Sequence, residues 1–322
     1  MDTRTTLRLA ADPAGLAAAA ALLGAGRLVA FPTETVYGLG ADARSAEAVA
    51  GIYAAKGRPR FNPLIAHVAD LAAAAEQGRF DGDALVLARA FWPGPLTLVV
   101  PAAASCTVAD LARAGLDSVA LRVPAHPVAR ALIVQAGLPV AAPSANRSGR
   151  ISPTAAAHVV EDLGGRIDAV VDGGAAEVGV ESTIVSCLGA PTLLRPGGVP
   201  RAAIEAVLGR ALAAPAPDGP TVAPGMLLSH YAPRAAVRLD AAALRPGEAG
   251  LDFGQGFAGQ GGAVLDLSRR RDLTEAAANL FGHLRRLDAL LHGRGTIAVA
   301  PIPPEGLGEA IRDRLARAAA AR

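Results

Sequence analysis

The sequence predicts an α/β protein with two sheets, and three observations support that prediction. Short apolar runs alternate with alanine-rich or amphipathic segments along the whole chain of 322 residues, as strands alternate with helices. Residues 213–225 change to proline, alanine, glycine and aspartate, which is typical of a semi-rigid linker. Hydrophobic residues make up 52% of the chain, enough for a core on each side of the linker. We therefore expect a mixed twisted sheet with flanking helices, followed by a smaller α/β domain.

Residues 1–212 carry the longer series of elements. Asp12 and Pro13 predict a helix N-cap and first turn, and Ser45 predicts a second N-cap. The predicted strands are 28–31, 63–68, 96–100, 118–123, 139–142, 168–171 and 182–186. The predicted helices begin at 12, 45, 70, 81, 127, 154 and 201, and the last of them ends at 212.

Residues 213–233 are predicted to be the linker, and residues 234–322 the small second domain. Its predicted strands are 237–239, 263–267 and 296–300, and its predicted helices are 273–291 and 308–320. A run of three arginines at 269–271 is typical of a solvated loop and helix start.

Charge and composition exclude several classes of protein. The net charge of +2 argues against binding nucleic acid through bulk electrostatics. No apolar run approaches the roughly 20 residues that span a bilayer, and the N-terminus lacks the layout of a secretory signal. Cys106 and Cys187 are too few and too isolated for a disulfide framework or a zinc site. We expect a cytoplasmic protein with no membrane contact and no strong direct binding of nucleic acid.

Polar residues concentrate between 33 and 37, directly after a predicted buried strand. Thr33 and Thr35 are two residues apart, so extended backbone places their hydroxyls on one face. Together with Glu34 and Tyr37 they predict a site for a small polar ligand. Ordinary turn chemistry at a strand end explains the same residues equally well.

A second cluster contains Lys56, Arg58, Arg60 and Asn62. Lys56 is the single lysine of the chain, and an ammonium meets one oxygen at close range where a guanidinium does not. Flanking prolines stiffen the turn and favour an anion site. The alternative is that cations here only offset the dipole of a helix C-terminus. His67, on the next strand, is either a ligand or a core residue.

Three further stretches carry polar groups. Residues 143–154 place small hydroxyl and amide side chains between a strand and a helix, where Ser152 or Thr154 is expected at the helix start. Such loops bind phosphate, although a long capped turn has the same composition. Residues 181–183 and 195–197 bring another carboxylate, hydroxyls and a guanidinium to strand ends. The chain has no phosphate-binding P-loop, no G-x-S-x-G elbow and no H-E-x-x-H zinc motif.

Seven blocks of residues 16–212 together resemble the YrdC-like domain of threonylcarbamoyl-AMP synthases. The blocks are P-T-E-T-V-Y-G-L-G, K-G-R-P with N-P-L, F-W-P-G-P-L-T, V-A-L-R-V-P, A-P-S-A-N-x-S-G-x-x-S-P-T, E-S-T-I-V and L-R-P-G. Residues 223–233, A-P-G-M-L-L-S-H-Y-A-P, resemble the two-domain branch of that family, whose second domain is Rossmann-like.

The resemblance implies that L-threonine, bicarbonate or carbon dioxide, and ATP give L-threonylcarbamoyladenylate and pyrophosphate. It implies Mg²⁺ as the companion of ATP, and transferase proteins that use the product to modify position 37 of tRNA. It places threonine against Thr35, His67, Arg122, Ala142 and Ser182. It places ATP against Arg58, Asn62, Ser118, Ser144, Ser152, Arg195 and Tyr231, with Lys56 on the phosphates and Lys56 and Arg58 as the catalytic cations.

The resemblance also implies catalysis by positioning and charge, without a side-chain nucleophile. Tyr231 is expected to close over the nucleotide as part of a lid. Two other functions remain open from the sequence. One is a module for double-stranded RNA or ribosome maturation, against which the low charge and the few aromatic residues argue. The other is a carbamoyl-transferring or hydrolytic enzyme that acts on a different amine.

Overall fold

The computed structural model describes residues 5–59, 62–215 and 231–320. Within them the chain forms a large mixed sheet and a small parallel sheet, as the sequence predicted. Arg60 of the predicted anion site, and residues 216–230 of the predicted linker, lie outside the described residues. None of the described helices has both the length and the apolar character that crossing a bilayer requires.

The large sheet contains ten strands and is mixed. They are β1 (Leu7–Ala10), β2 (Val29–Pro32), β3 (Tyr37–Asp42), β4 (Ile65–His67), β5 (Leu96–Pro101), β6 (Ser118–Arg122), β7 (Val140–Ala141), β8 (Ala169–Asp172), β9 (Thr183–Ser186) and β10 (Thr192–Arg195). Their order is β1-β8-β2-β3-β7-β4-β6-β5-β9-β10. Strands β4 and β6 are parallel neighbours, so both end at the same edge of the sheet.

Eight helices pack on the ten-stranded sheet. They are α1 (Pro13–Gly24), α2 (Ala46–Lys56), α3 (Leu71–Gln77), α4 (Gly82–Phe91), α5 (Asp110–Arg113), α6 (Pro127–Ala136), α7 (Ala156–Leu163) and α8 (Arg201–Leu208). Asp12 and Ser45 accept hydrogen bonds from first-turn amides, as expected of N-caps. Gly57 ends α2 in the left-handed conformation, which turns the chain after Lys56.

The small sheet has four parallel strands in the order β11-β14-β12-β13. They are β11 (Ala236–Arg238), β12 (Ala249–Asp252), β13 (Val264–Asp266) and β14 (Thr296–Val299), with helices α9 (Leu273–Leu290) and α10 (Gly308–Ala319). We call residues 5–208 of the described chain the first region and residues 231–320 the second region. Their cores join, because Val36, Ile151 and Val180 pack in one apolar cluster with residues of the second region.

Several element predictions were wrong in detail. Strands β1, β3 and β12 and helix α5 were not predicted, and β3 contains two glycines, Gly38 and Gly40. Position 40 requires glycine, because a Cβ there would come within 2.8 Å of the Phe31 ring. Helix α8 was predicted to end at 212 but ends at Leu208, because Gly209 adopts a positive φ of 66°.

Candidate active site

One cavity gathers residues from distant parts of the chain. Nine of the thirteen residues predicted for the site line it. They are Thr35, Arg58, His67, Arg122, Ala142, Ser144, Ser182, Arg195 and Tyr231, and the other lining residues are Thr33, Val36, Gly38, Ile65, Pro143 and Glu181. The cavity has a volume of about 50 Å³. The remaining four predicted residues, Lys56, Asn62, Ser118 and Ser152, lie outside its lining.

Arg122 anchors one wall of the cavity through a buried ion pair. Its Nη2 donates to Glu34 Oε1 at 2.7 Å, and its Nη1 donates to Thr35 Oγ1 at 3.1 Å. The two threonine hydroxyls are 2.8 Å apart. They meet in a bend, where Thr33 Oγ1 donates to Val36 O at 2.7 Å, and not on the extended backbone that was predicted. Burial raises the pKa of the Glu34 carboxyl, but the charge and hydrogen bond of Arg122 outweigh burial and leave that pKa below its usual value. Glu34 is therefore a carboxylate that holds Arg122 in place.

His67 ends β4 and presents an imidazole with an unused hydrogen-bonding atom. Its Nδ1 is buried and has no partner among the described residues. Burial, assisted by the positive charge of Arg122, lowers the pKa of His67 to about 3. The imidazole is therefore neutral, and Nδ1 is available to a ligand in the cavity.

Arg58 and Asn62 carry similar unused atoms. Arg58 Nε and Asn62 Oδ1 are both buried without partners in the described part of the chain. Arg58 Nη2 donates to Pro63 O at 3.2 Å, which fixes the turn after α2. Burial lowers the pKa of Arg58 to about 10, so the guanidinium remains charged at neutral pH. Because buried polar atoms are nearly always hydrogen-bonded, these atoms point to a bound ligand.

Lys56 lies beneath the loop that carries Ser144 rather than on the cavity surface. Its Nζ donates to the carbonyls of Ser144, at 2.6 Å, and Asn146. Burial, and next the charge of Arg58, hold the pKa of Lys56 well below its ordinary value. Lys56 is 3% exposed, so it is not a solvated cation at the end of α2. A direct contact of Lys56 with phosphate stays a prediction.

Ser182 and Arg195 form the opposite wall. Arg195 Nε and Nη2 donate to Ser182 O at 3.1 and 2.9 Å, and Nη2 also reaches Ser182 Oγ at 3.1 Å. Ser182 Oγ lies 2.8 Å from Thr97 Oγ1 of β5. Gly197 follows closely, and a Cβ there would come within 2.3 Å of Glu181 O. The close approach explains why glycine follows the arginine and proline.

Ser152 reaches the cavity only through Glu181, to which its hydroxyl donates. Neither Ser152 nor Thr154 starts α7 as expected, because the helix begins at Ala156 and its N-cap makes no side-chain hydrogen bond. Ser118 begins β6, pairs with Pro101 and is buried. Tyr37, part of the predicted polar cluster, is not a lining residue and donates its hydroxyl to Gly174 O at 2.7 Å.

Tyr231 closes the cavity and rests on the second region. Its ring stacks on Phe281 of α9 with centroids 5.6 Å apart, and the guanidinium of Arg314 lies 5.1 Å from the ring centroid. Tyr231 adopts a φ of 61°, which side chains other than glycine rarely adopt, so the surrounding contacts hold it there.

No cluster of three or more metal-binding side chains occurs among the described residues. Glu181, which lines the cavity, and Glu34, which binds the cavity residue Arg122, are both paired with arginines. The residues therefore do not fit a metal site built by the protein. A larger cavity of about 610 Å³ lies between the two regions, but none of the thirteen predicted residues lines it.

Three charged residues around the cavity were not among the thirteen residues predicted for the site. Glu34 and Glu181 were placed in polar clusters but were given no role toward threonine or ATP, and Arg314 was not considered. Arg314 occupies the apolar stripe of α10, with Ile311, Leu315 and Ala318 on the same buried face. A charged residue at such a position is the signal that could have identified it.

The fold and the cavity define a two-region α/β enzyme whose site is rich in hydroxyls and guanidiniums. Residues 21–197 match the family model described as "Telomere recombination", and residues 199–320 match the model described as "Threonylcarbamoyl-AMP synthase, C-terminal domain". The chain belongs to the threonylcarbamoyl-AMP synthase family, as the sequence motifs predicted.

Full-length relatives and a solved structure resemble the chain closely. The threonylcarbamoyl-AMP synthase of Bacillus subtilis is 42% identical, over 98% of this chain and 96% of that protein. The synthase of Pyrococcus abyssi is 42% identical, over 93% of this chain and 92% of its own length. The crystal structure of P. abyssi Sua5 complexed with L-threonine superimposes with a TM-score of 0.87 at 38% identity, covering 98% and 97% of the two chains.

Proposed function

We propose that this chain converts L-threonine, bicarbonate or carbon dioxide, and ATP into L-threonylcarbamoyladenylate and pyrophosphate. The main observation behind this proposal is that nine predicted residues from separate segments line one cavity. The names of the full-length relatives agree with this activity, and one related structure is described as complexed with L-threonine. Cytoplasmic location, and delivery of the product to proteins that modify tRNA, are part of the same proposal.

The cavity supplies two kinds of contact for these substrates. The neutral His67 and the threonine hydroxyls suit the amine, carboxylate and hydroxyl of a small amino acid, with Arg122 behind them. Arg58 and Arg195 bring buried positive charge that suits a nucleotide phosphate. Threonine and the nucleotide would then meet between the two walls.

The reaction needs no nucleophile from the protein. The threonine nitrogen forms a bond to the carbon of carbon dioxide and loses a proton, or it displaces water from bicarbonate. Either route gives a carbamate. A carbamate oxygen then attacks the α-phosphorus of ATP, and the bond from that phosphorus to the bridging oxygen of pyrophosphate breaks. The buried cations stabilise negative charge that develops on the phosphate oxygens, and the walls hold the reactants in line.

Both substrates require more room than the cavity offers. A volume of about 50 Å³ is well below the roughly 300–1,000 Å³ of typical ligand sites. We infer that Tyr231, which is 1% exposed, moves outward when ATP enters and returns to exclude water from the reactive product.

Mg²⁺ belongs to the proposal as the companion of ATP. Mg²⁺ is commonly held by substrate phosphates and water with few protein ligands. This mode suits a site whose carboxylates are already paired with arginine.

The test is incubation of the protein with ATP, bicarbonate, L-threonine and Mg²⁺, followed by mass analysis and measurement of pyrophosphate. We expect a product with the mass of L-threonylcarbamoyladenylate and an equal amount of pyrophosphate. Serine, valine and buffer replace threonine in matched reactions. Equal pyrophosphate release in all of them, or a preferred amine other than threonine, would contradict the proposed substrate.

A further inference from the structure

We propose that Arg314, which the second region contributes, is a positioning residue for the nucleotide side of the cavity. Arg314 lies on α10 and is fully buried, with 0% exposure. It does not line the cavity itself, but contacts three segments that border the cavity. The inference rests on the proposed function, because that proposal assigns Ser152, Arg195 and Tyr231 to ATP.

The first contact fixes a carboxylate and, through it, a serine. Arg314 Nε donates to Glu181 Oε2 at 2.8 Å, and the other carboxylate oxygen accepts the hydroxyl of Ser152. Burial raises the pKa of Glu181, but the charges of Arg314 and Arg195 outweigh burial and leave that pKa below its usual value. Glu181 thus stays an acceptor, which sets the direction of the Ser152 hydroxyl.

The second contact holds the backbone next to Arg195. Arg314 Nη1 donates to Pro196 O at 2.9 Å and to Asp313 Oδ2 at 2.6 Å. Pro196 directly follows Arg195, whose guanidinium binds Ser182. The planar fork of an arginine can serve Glu181 and Pro196 together, whereas a lysine cannot reproduce that geometry.

The third contact supports the tyrosine that closes the cavity. The guanidinium carbon of Arg314 lies 5.1 Å from the centre of the Tyr231 ring, within the range of a cation–π contact. Phe281 stacks on the same ring. Arg314 therefore connects Ser152, Arg195 and Tyr231, while no hydrogen bond joins it to Thr35, His67 or Arg122 among the described residues.

The experiment compares the full-length protein with Arg314→Met and Arg314→Lys in steady-state kinetics. For Arg314→Met we expect the KM for ATP to rise on the order of tenfold and the KM for threonine to change less than twofold. Arg314→Lys should restore most of the thermal stability, because it keeps a charge beside Glu181. It should leave the KM for ATP raised, because the fork is lost.

Two further variants separate positioning from stability. Arg201→Met removes the ion pair from α8 to Glu309 of α10, which also joins the two regions but touches no cavity residue. It should leave both KM values unchanged. Arg314→Met combined with Glu181→Gln removes the charge of Glu181, which Arg314→Met alone leaves without its partner. Stability should recover in that protein, while the KM for ATP stays raised.

Equal changes in both KM values, or full recovery of the KM for ATP in Arg314→Lys, would overturn the inference. Titration of ATP and of threonine into the same proteins by calorimetry decides the matter without turnover. If the wild-type protein forms no product, the proposed function fails, and the inference still stands or falls on the weaker binding of ATP by Arg314→Met.

Discussion

The cavity of the first region leaves polar side-chain atoms without partners, whereas the strand ends of the second region bind their polar groups internally. His67 and Arg58 line this cavity, and His67 Nδ1 and Arg58 Nε are buried and unpaired among the described residues. In the second region, Asp252 ends β12 and accepts the amides of residues 253, 256 and 257. Asp266 ends β13 and accepts those of residues 254, 255 and 268.

This difference suits the first region to binding a ligand and the second region to supporting it structurally. The ends of parallel strands are where α/β proteins commonly bind ligands. In the second region carboxylates occupy that place, so the backbone amides that could bind an anion are already used. The second region instead contributes Phe281 and Arg314, which hold Tyr231 against the cavity of the first region.

The largest expected effect comes from removing a cation of the cavity. Arg195→Met should lower kcat/KM by about 100-fold or more, because one donor aimed at developing charge is worth that much. Pyrophosphate release measures it. Arg238→Met, which breaks an ion pair with Glu248 in the second region, is the matched control and should stay within twofold. A loss below tenfold for Arg195→Met would remove this arginine from the site.

The next effect concerns stability alone. Asp252→Asn should lower the free energy of unfolding by about 2 kcal/mol, because a charged acceptor of three amides becomes a neutral one. Urea denaturation measures the loss, and kcat/KM at low temperature should remain within twofold. A large loss of threonine binding without a loss of stability would reverse the assignment of this strand end as a support.

His67→Leu should show the opposite pattern. Threonine affinity should fall about tenfold, while stability stays the same or increases, because an apolar residue replaces a buried atom that lacks a partner. Calorimetry and urea denaturation measure the two quantities. His283→Leu removes a histidine of α9 whose Nδ1 is equally unpaired among the described residues. If that control weakens threonine binding as strongly, the loss in His67→Leu does not come from a direct contact of His67 with threonine.

The smallest effect is a dependence of stability on pH. The folded pKa of His67 is about 3, below its ordinary value of 6.5, so the unfolded chain takes up a proton first as pH falls. The resulting loss of stability begins near pH 6.5 and grows toward pH 3. Between pH 7 and pH 5.5 the free energy of unfolding of the wild type should fall by about 1 kcal/mol more than that of His67→Leu. Equal losses in the two proteins would mean that the imidazole titrates normally.

The sequence predicted which residues line the cavity better than it predicted the contacts that hold them in place. Motif residues such as Arg122 and Ser182 were found because their neighbours are distinctive. Lys56 was placed on phosphate, yet the structure sets its Nζ against the carbonyls of Ser144 and Asn146. Contacts of this kind link residues about 90 positions apart, and spacing along the chain does not encode them.

The missed strands have a physical explanation. Strand β1 is short and mostly exposed, and β3 contains two glycines, a residue type that is depleted in strands. Pairing with β8 stabilises β1, and pairing with β2 and β7 stabilises β3. Helix α10 was predicted nearly to its observed limits, but the importance of Arg314 depends on the partners that the fold brings to it.

The core shared by the two regions restricts how this architecture can be shortened. Val36, Ile151 and Val180 are covered by residues of the second region. A protein with the first region alone would expose these three side chains to water beside the cavity and would tend to self-associate there.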